Sequence, residues 1–225
     1  MSDPYSGYLH QSNDGKDLSL PPGKAVCVGR NYVEHAKELN NPVPANPLLF
    51  IKPYTAMTGL TPSIQLPVEK GPCHFETELT VLIGSPLTQA NEAQAADAIA
   101  GIGLGLDLTL RDLQDELKKK GHPWEIAKSF DGSCPLSAFI SPRRISNIED
   151  TEYRLWVNGE LRQHGQTRQM ITAVNKLLSY CSQHFTLLPG DVVLTGTPAG
   201  VGVLQRGDLL KFQLDTLMSF ETQVI

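Results

Sequence analysis

Two short stretches carry the residues best suited to chemistry. The first is His74-Phe75-Glu76-Thr77-Glu78-Leu79. In a strand, residues two apart point to one face, so His74, Glu76 and Glu78 would line up together. Adjacent carboxylates on a sheet face repel unless water solvates them or a cation bridges them. The second stretch, Gly101-Ile102-Gly103-Leu104-Gly105-Leu106-Asp107-Leu108-Thr109, alternates strictly. One face carries Ile102, Leu104, Leu106 and Leu108; the other carries three glycines and then Asp107. The apolar face predicts core packing, and the bare glycine backbone predicts close approach by another group. Asp107, at the end of a buried strand, needs a partner. Arg111 and Gln114, four and seven residues on, could share a helix-top face with it. The plainer alternative makes Asp107 a helix cap paired with Arg111. Together Glu76, Glu78 and Asp107 offer a hard, all-oxygen donor set. It suits Mg²⁺ first, Mn²⁺ second, Ca²⁺ less well and Zn²⁺ poorly. Three acids leave further coordination positions open to water or substrate.

The surrounding pattern must hold these residues in place. Short apolar runs bounded by Gly and Pro predict strands at Ala25–Val28, Leu48–Ile51, Leu79–Ile83, Tyr153–Val157, Val192–Leu194 and Leu209–Leu214. Asn158-Gly159 predicts a two-residue hairpin turn. Three stretches read as helices. Asn91 caps one reaching Ala100. Leu110, Leu113 and Leu117 mark a second, running through Lys118-Lys119-Lys120 to Gly121. Thr167 caps a third, with Met170, Ile171, Val174, Leu177, Leu178 and Cys181 as its apolar stripe. Many short strands, few helices and no strand–helix–strand rhythm predict a β-rich α+β fold.

The chain has 225 residues, 40% apolar and 19% charged, enough for one sizeable core. No repeat or linker divides it, so we expect residues 21–225 to form a single domain behind an N-terminal extension over 1–20. Nineteen basic against 24 acidic residues give a net charge of −5. That balance argues against a nucleic-acid partner. No apolar run of about 20 residues predicts a membrane span. The polar N-terminus lacks a secretory pattern, which places the expected location in the cytoplasm. Cys27, Cys73, Cys134 and Cys181 are scattered and read as small buried hydrophobes.

The stretches GRNYVEHAKEL, LLFIKP, HFETEL, DLTLRDLQDELKKKGHPWEIAKSFDGSCPLSAF, WVNGELRQ and LLPGDVVLTGTPAGVG occur in this order from about residue 24 to 210. In that set the chain resembles the fumarylacetoacetate hydrolase family, most closely its small single-domain acylpyruvase branch. One departure is Val203, where relatives commonly place Pro. The resemblance implies a mixed β-sandwich roll of the family's C-terminal-domain type. It also implies a divalent metal on Glu76, Glu78 and Asp107, a homodimer, and a small keto-acid substrate. The implied reaction is hydrolysis of the C–C bond of an acylpyruvate (a 2,4-dioxo acid). Oxaloacetate decarboxylation and oxaloacetate enol–keto tautomerisation are the alternatives on the same platform. An isomerase or decarboxylase of aromatic meta-cleavage catabolism is more distant.

The resemblance also distributes roles. It places a catalytic pair at His35 and Glu38, whose i, i+3 spacing makes them neighbours on a short helix. A carboxylate beside His raises its basicity and fixes its tautomer, as water activation requires; an exposed ion pair is the plainer reading. Lys128 is implied to point into the site and steady a developing enolate. Lys52 and Arg30 are further candidates for holding a substrate carboxylate, with Arg111 and Gln114 beside them. Gly196, Thr197 and Gly200 form a turn whose backbone N–H groups could bind a carboxylate.

Overall fold

Strands dominate the architecture because the apolar runs are short and strictly punctuated. The computed structural model describes residues 7–39, 42–67 and 69–225. Its largest sheet has seven strands in the order β2 (Leu48–Lys52), β1 (Ala25–Gly29), β12 (Val192–Leu194), β6 (Thr77–Ile83), β7 (Ile99–Leu106), β9 (Cys134–Leu136) and β3 (Met57–Gly59). A five-stranded sheet runs β11 (Glu160–Gln166), β10 (Glu152–Val157), β14 (Leu209–Leu214), β15 (Met218–Val224) and β4 (Ser63–Ile64). A third, small sheet joins β13 (Gly202–Val203), β5 (Cys73–Phe75) and β8 (Thr109–Leu110). All six predicted strands form. The fold is α+β and β-rich.

The large sheet is buried on both sides. Leu79, Val81, Ile102 and Leu104 meet Tyr153, Leu155 and Phe212 of the five-stranded sheet in the main core. Ala25, Cys27, Leu82, Cys134, Val192 and Leu194 form a second core. Every residue of β6 is therefore buried, including Glu78. Each leucine-sized side chain so removed from water contributes about 1.5–3 kcal/mol. The four cysteines are free and buried.

The glycine face of β7 is covered by the chain itself. A Cβ at Gly101 would stand 2.8 Å from Phe139 Cβ, and one at Gly103 2.8 Å from Ser137 Oγ. The close approach is real, but its partner is the segment after β9 and not a ligand. The Asn158-Gly159 hairpin forms between β10 and β11, with φ of 52° and 83°. Residues 7–20 are strapped to the domain: Tyr8, Leu18 and Leu20 pack on the second core. Here the fully buried His10 donates from Nε2 to the Gly190 carbonyl at 2.9 Å.

Among the described residues five α-helices, α1 (Val33–Glu38), α2 (Glu92–Asp97), α3 (Arg111–Lys120), α4 (Glu125–Lys128) and α5 (Val174–His184), sit around the sheets. Among the described residues none is long and apolar enough to cross a membrane. Asn91 caps α2 in a reciprocal box with Gln94. The helix stops at Asp97 because Ile99 is already paired with Ile83 in the sheet. The third predicted helix starts later than expected. Thr167 opens only a 3-10 turn, and Ile171 donates its N–H to the Asn31 carbonyl at 2.8 Å, which holds the chain extended. The N-terminus of α5 is capped from a distance, by Glu149 accepting from the Val174 and Asn175 N–H groups.

Candidate metal centre and active site

Strand pairing brings the acids together. Glu78 lies opposite Gly105 in the β6–β7 register, and the Asp107 N–H donates to the Glu76 carbonyl at 2.9 Å. Each of Glu76, Glu78 and Asp107 presents a carboxylate oxygen within 4.8 Å of the others'. All three are at most 4% exposed. His74 does not join them. The extended run breaks at Glu76, where the Thr77 N–H donates to Gln163 Oε1. Upstream of that break, His74 enters the small sheet opposite Thr109 and Val203.

Three cations surround the acids. Lys128 Nζ donates to Glu76 Oε2 at 2.8 Å, to Asp107 Oδ2 at 2.6 Å and to Thr109 Oγ1 at 2.7 Å. Arg111 pairs with Glu76 and donates from Nη1 to Gln114 Oε1 at 2.8 Å. Lys52, fully buried, lies 2.9 Å from Asp107 Oδ1 and also reaches the carbonyls of Lys128 and Ser133. The helix-cap alternative for Asp107 fails: the residue at the head of α3 is Leu110, and Arg111 turns to Glu76.

The donor set fits a divalent cation. Asp107 Oδ1 is a buried carboxylate oxygen that, despite the nearby Lys52 ammonium, accepts no hydrogen bond among the described residues. Burial, and then the charges of Asp107 and Glu76, push the Glu78 carboxyl well above the usual range. An added positive charge would relieve that crowding of acids. Burial also raises Glu76, but Lys128, Arg111 and His35 together outweigh it and hold the group well below the ordinary carboxylate value. For Lys128, burial lowers the ammonium's pKa, yet Asp107 and Glu76 prevail and raise it.

His35 lines the same cleft as Glu76, Glu78, Arg111, Gln114, Lys128 and Thr197. Burial holds its imidazole below the usual pKa, with the Glu76 charge acting against that shift. Its Nδ1 lies 3.5 Å from Glu38 Oε2 without forming a hydrogen bond. The Glu38 carboxylate instead accepts from the Gly200 N–H at 3.1 and 3.2 Å. The Gly196 N–H likewise donates to Glu78 Oε2. These two donors of the glycine turn are thus committed to the protein's own acids, which removes them as a free carboxylate cradle. Lys52 is set behind Asp107 and is not a cleft-lining residue. Arg30 does line the cleft.

Sequence reasoning passed over Lys118 and Trp124, which share the cleft. The i+4 spacing of Gln114 and Lys118 on α3 was the available signal. It also passed over the role of Asn31, whose Nδ2 donates to the Thr195 and Thr172 carbonyls at 2.8 and 3.0 Å. Those bonds tie the start of α1, and so His35, to the end of β12.

Comparison with known proteins matches residues 24–225 to the family model described as fumarylacetoacetate hydrolase C-terminal. The chain belongs to the fumarylacetoacetate hydrolase family. Among relatives, it is 51% identical over 209 residues to the oxaloacetate tautomerase YcgM of Escherichia coli, covering 92% of this chain and 95% of that one. A crystal structure of a fumarylacetoacetate hydrolase family protein from Yersinia pestis superposes with a TM-score of 0.95 at 50% identity, covering 97% and 100% of the two chains. The fumarylpyruvate hydrolase of Pseudomonas aeruginosa, crystallised with Mn²⁺ and pyruvate, gives 0.91 at 35% identity over 99% and 97%. Like these members of the fumarylacetoacetate hydrolase family, the chain is an enzyme.

Proposed function

We propose that the protein is a divalent-metal-dependent oxaloacetate tautomerase, with Mg²⁺ as the working ion. The carrying observation is one cleft lined by Glu76, Glu78, Lys128 and a buried His35, in a chain half identical to such a tautomerase. This moves the weight from C–C hydrolysis, the first expectation, to its alternative.

A divalent ion held by Glu76, Glu78 and Asp107 would supply positive charge for the enolate oxygen of a 2-oxo acid. The protein's own residues do the remainder. Lys128 Nζ adds a fixed positive charge beside that oxygen, and Arg111 with Gln114 orients the neighbouring carboxylate. His35, kept neutral by burial, takes the enol hydroxyl proton at Nε2, the ring nitrogen that does not face Glu38, and returns a proton to C3. Tautomerisation needs this shuttle and no activated water. Support comes from the Glu38 carboxylate, which is engaged by Gly200 and not by the imidazole.

Acylpyruvate hydrolysis is the second reading. Glu38 Oε2 already stands 3.5 Å from His35 Nδ1, and the likeness to a fumarylpyruvate hydrolase favours it. The homodimer belongs to the proposal too, and analytical ultracentrifugation checks it. The test of function uses Mg²⁺-loaded protein in three assays: loss of oxaloacetate enol absorbance, pyruvate release from oxaloacetate, and hydrolysis of acetylpyruvate. Enol conversion should be fastest, and His35→Gln should slow it by about 10²-fold. Faster acetylpyruvate hydrolysis would reverse the ranking.

A further inference from the structure

The cleft holds more positive charge than its inner end uses. Arg111 and Lys128 are matched to Glu76 and Asp107. Arg30 and Lys118 line the same cleft farther out, where burial declines: both are partly exposed, against 1% for Glu78 and Asp107. Among the described residues Arg30 forms no ion pair, and Lys118 has only Asp115, at 3.4 Å. Trp124 lies under the Lys118 ammonium, 5.6 Å from Nζ to the ring centroid, and fixes its direction. Arg30 holds a left-handed backbone, φ 63°, which costs an L-residue about 1 kcal/mol. Burial above all lowers the Lys118 pKa; Asp115 pulls it back up, and the positive charges of Arg111 and Arg30 add to the lowering.

A 2-oxo monoacid would satisfy the inner end alone. Two further cations at the lip, with one weak acidic partner between them, call for a second anionic group on the ligand. We propose that Arg30 and Lys118 form a subsite for the distal carboxylate of a 2-oxodicarboxylate, selecting dianionic substrates over those with a neutral tail. The inference deepens the tautomerase reading and rests on it.

The test compares oxaloacetate with its 4-ethyl ester, which keeps the 2-oxo acid and the C3 hydrogens but lacks the distal charge. Both are assayed for enol–keto conversion and for calorimetric binding to Mg²⁺-loaded protein. The wild type should prefer the dianion. Arg30→Gln and Lys118→Gln should each raise KM and Kd for oxaloacetate about three- to tenfold, and those for the ester far less. Thermal melts confirm that the variants fold. No preference in the wild type, or parallel losses on both ligands, would overturn the subsite while leaving the tautomerase reading intact. A charge preference in binding that both variants lose, without any enol conversion, would uphold the subsite and sink the activity.

Discussion

Asp107 is held by two buried lysines at once, Lys52 on one oxygen and Lys128 on the other. Asp107→Asn should therefore do two things. It should abolish tight Mg²⁺ binding in calorimetry, and it should lower unfolding free energy in urea by about 3–5 kcal/mol, because two ammonium groups lose a counter-charge. Unchanged Mg²⁺ affinity would remove Asp107 from the ligand set. Arg30 offers the opposite trade. Arg30→Gly relieves a left-handed backbone and should raise the melting temperature by about 2–4 °C while weakening oxaloacetate binding. A lower melting temperature would mean that its side chain supports the fold. At this scale, the acids were legible in the sequence because carboxylates two apart, and one ending an apolar strand, have few inert uses. Lys52 was not legible: its partners come from three separate segments, and no local spacing predicts them.

Elements were legible where local chemistry alone decides them. The β10–β11 turn needs only Asn-Gly, and α2 needs only Asn91 and Gln94. The start of α5 was misplaced because its cap is Glu149, remote in sequence, and because Asn31 claims the backbone of Ile171. The glycine face of β7 announced a close approach but not its partner, since the covering segment arrives from beyond β9. The N-terminal strap carries a pH dependence of its own. Burial holds His10 below the usual imidazole pKa, only partly offset by the Gly190 carbonyl. The folded state therefore resists a proton that the unfolded chain accepts. Stability is fully present above about pH 6.5 and falls as pH drops from there toward the folded pKa. Unfolding free energies without added metal should show this decline between pH 7.5 and 5, and His10→Gln should flatten it. His35 and His74 shift in the same direction, so some slope should remain. Identical profiles for variant and wild type would deny His10 any share.

Across the whole molecule, a metal on Glu76, Glu78 and Asp107 would link the site to the fold. The three acids lie on and beside the central strands β6 and β7, so an ion that binds only the folded state stabilises all of it. Titrating Mg²⁺ should raise unfolding free energy by about 2.7 kcal/mol at one hundred times the dissociation constant. A chelator should reverse the gain, and Asp107→Asn should be indifferent to both. A melting temperature independent of Mg²⁺ in the wild type would contradict a site built into the sheet. One strand gives this architecture a cost during biosynthesis. β12 is three residues long, yet it fills the position between β1 and β6 and leads directly to Thr195 and Gly196. About 110 residues must leave the ribosome after β6 before β12 appears. At about 5–20 residues per second, the facing edges of β1 and β6 stay unpaired for on the order of 5–20 s. A nascent chain in that interval is an aggregation hazard, and newly made protein should depend on chaperones far more than the finished enzyme does.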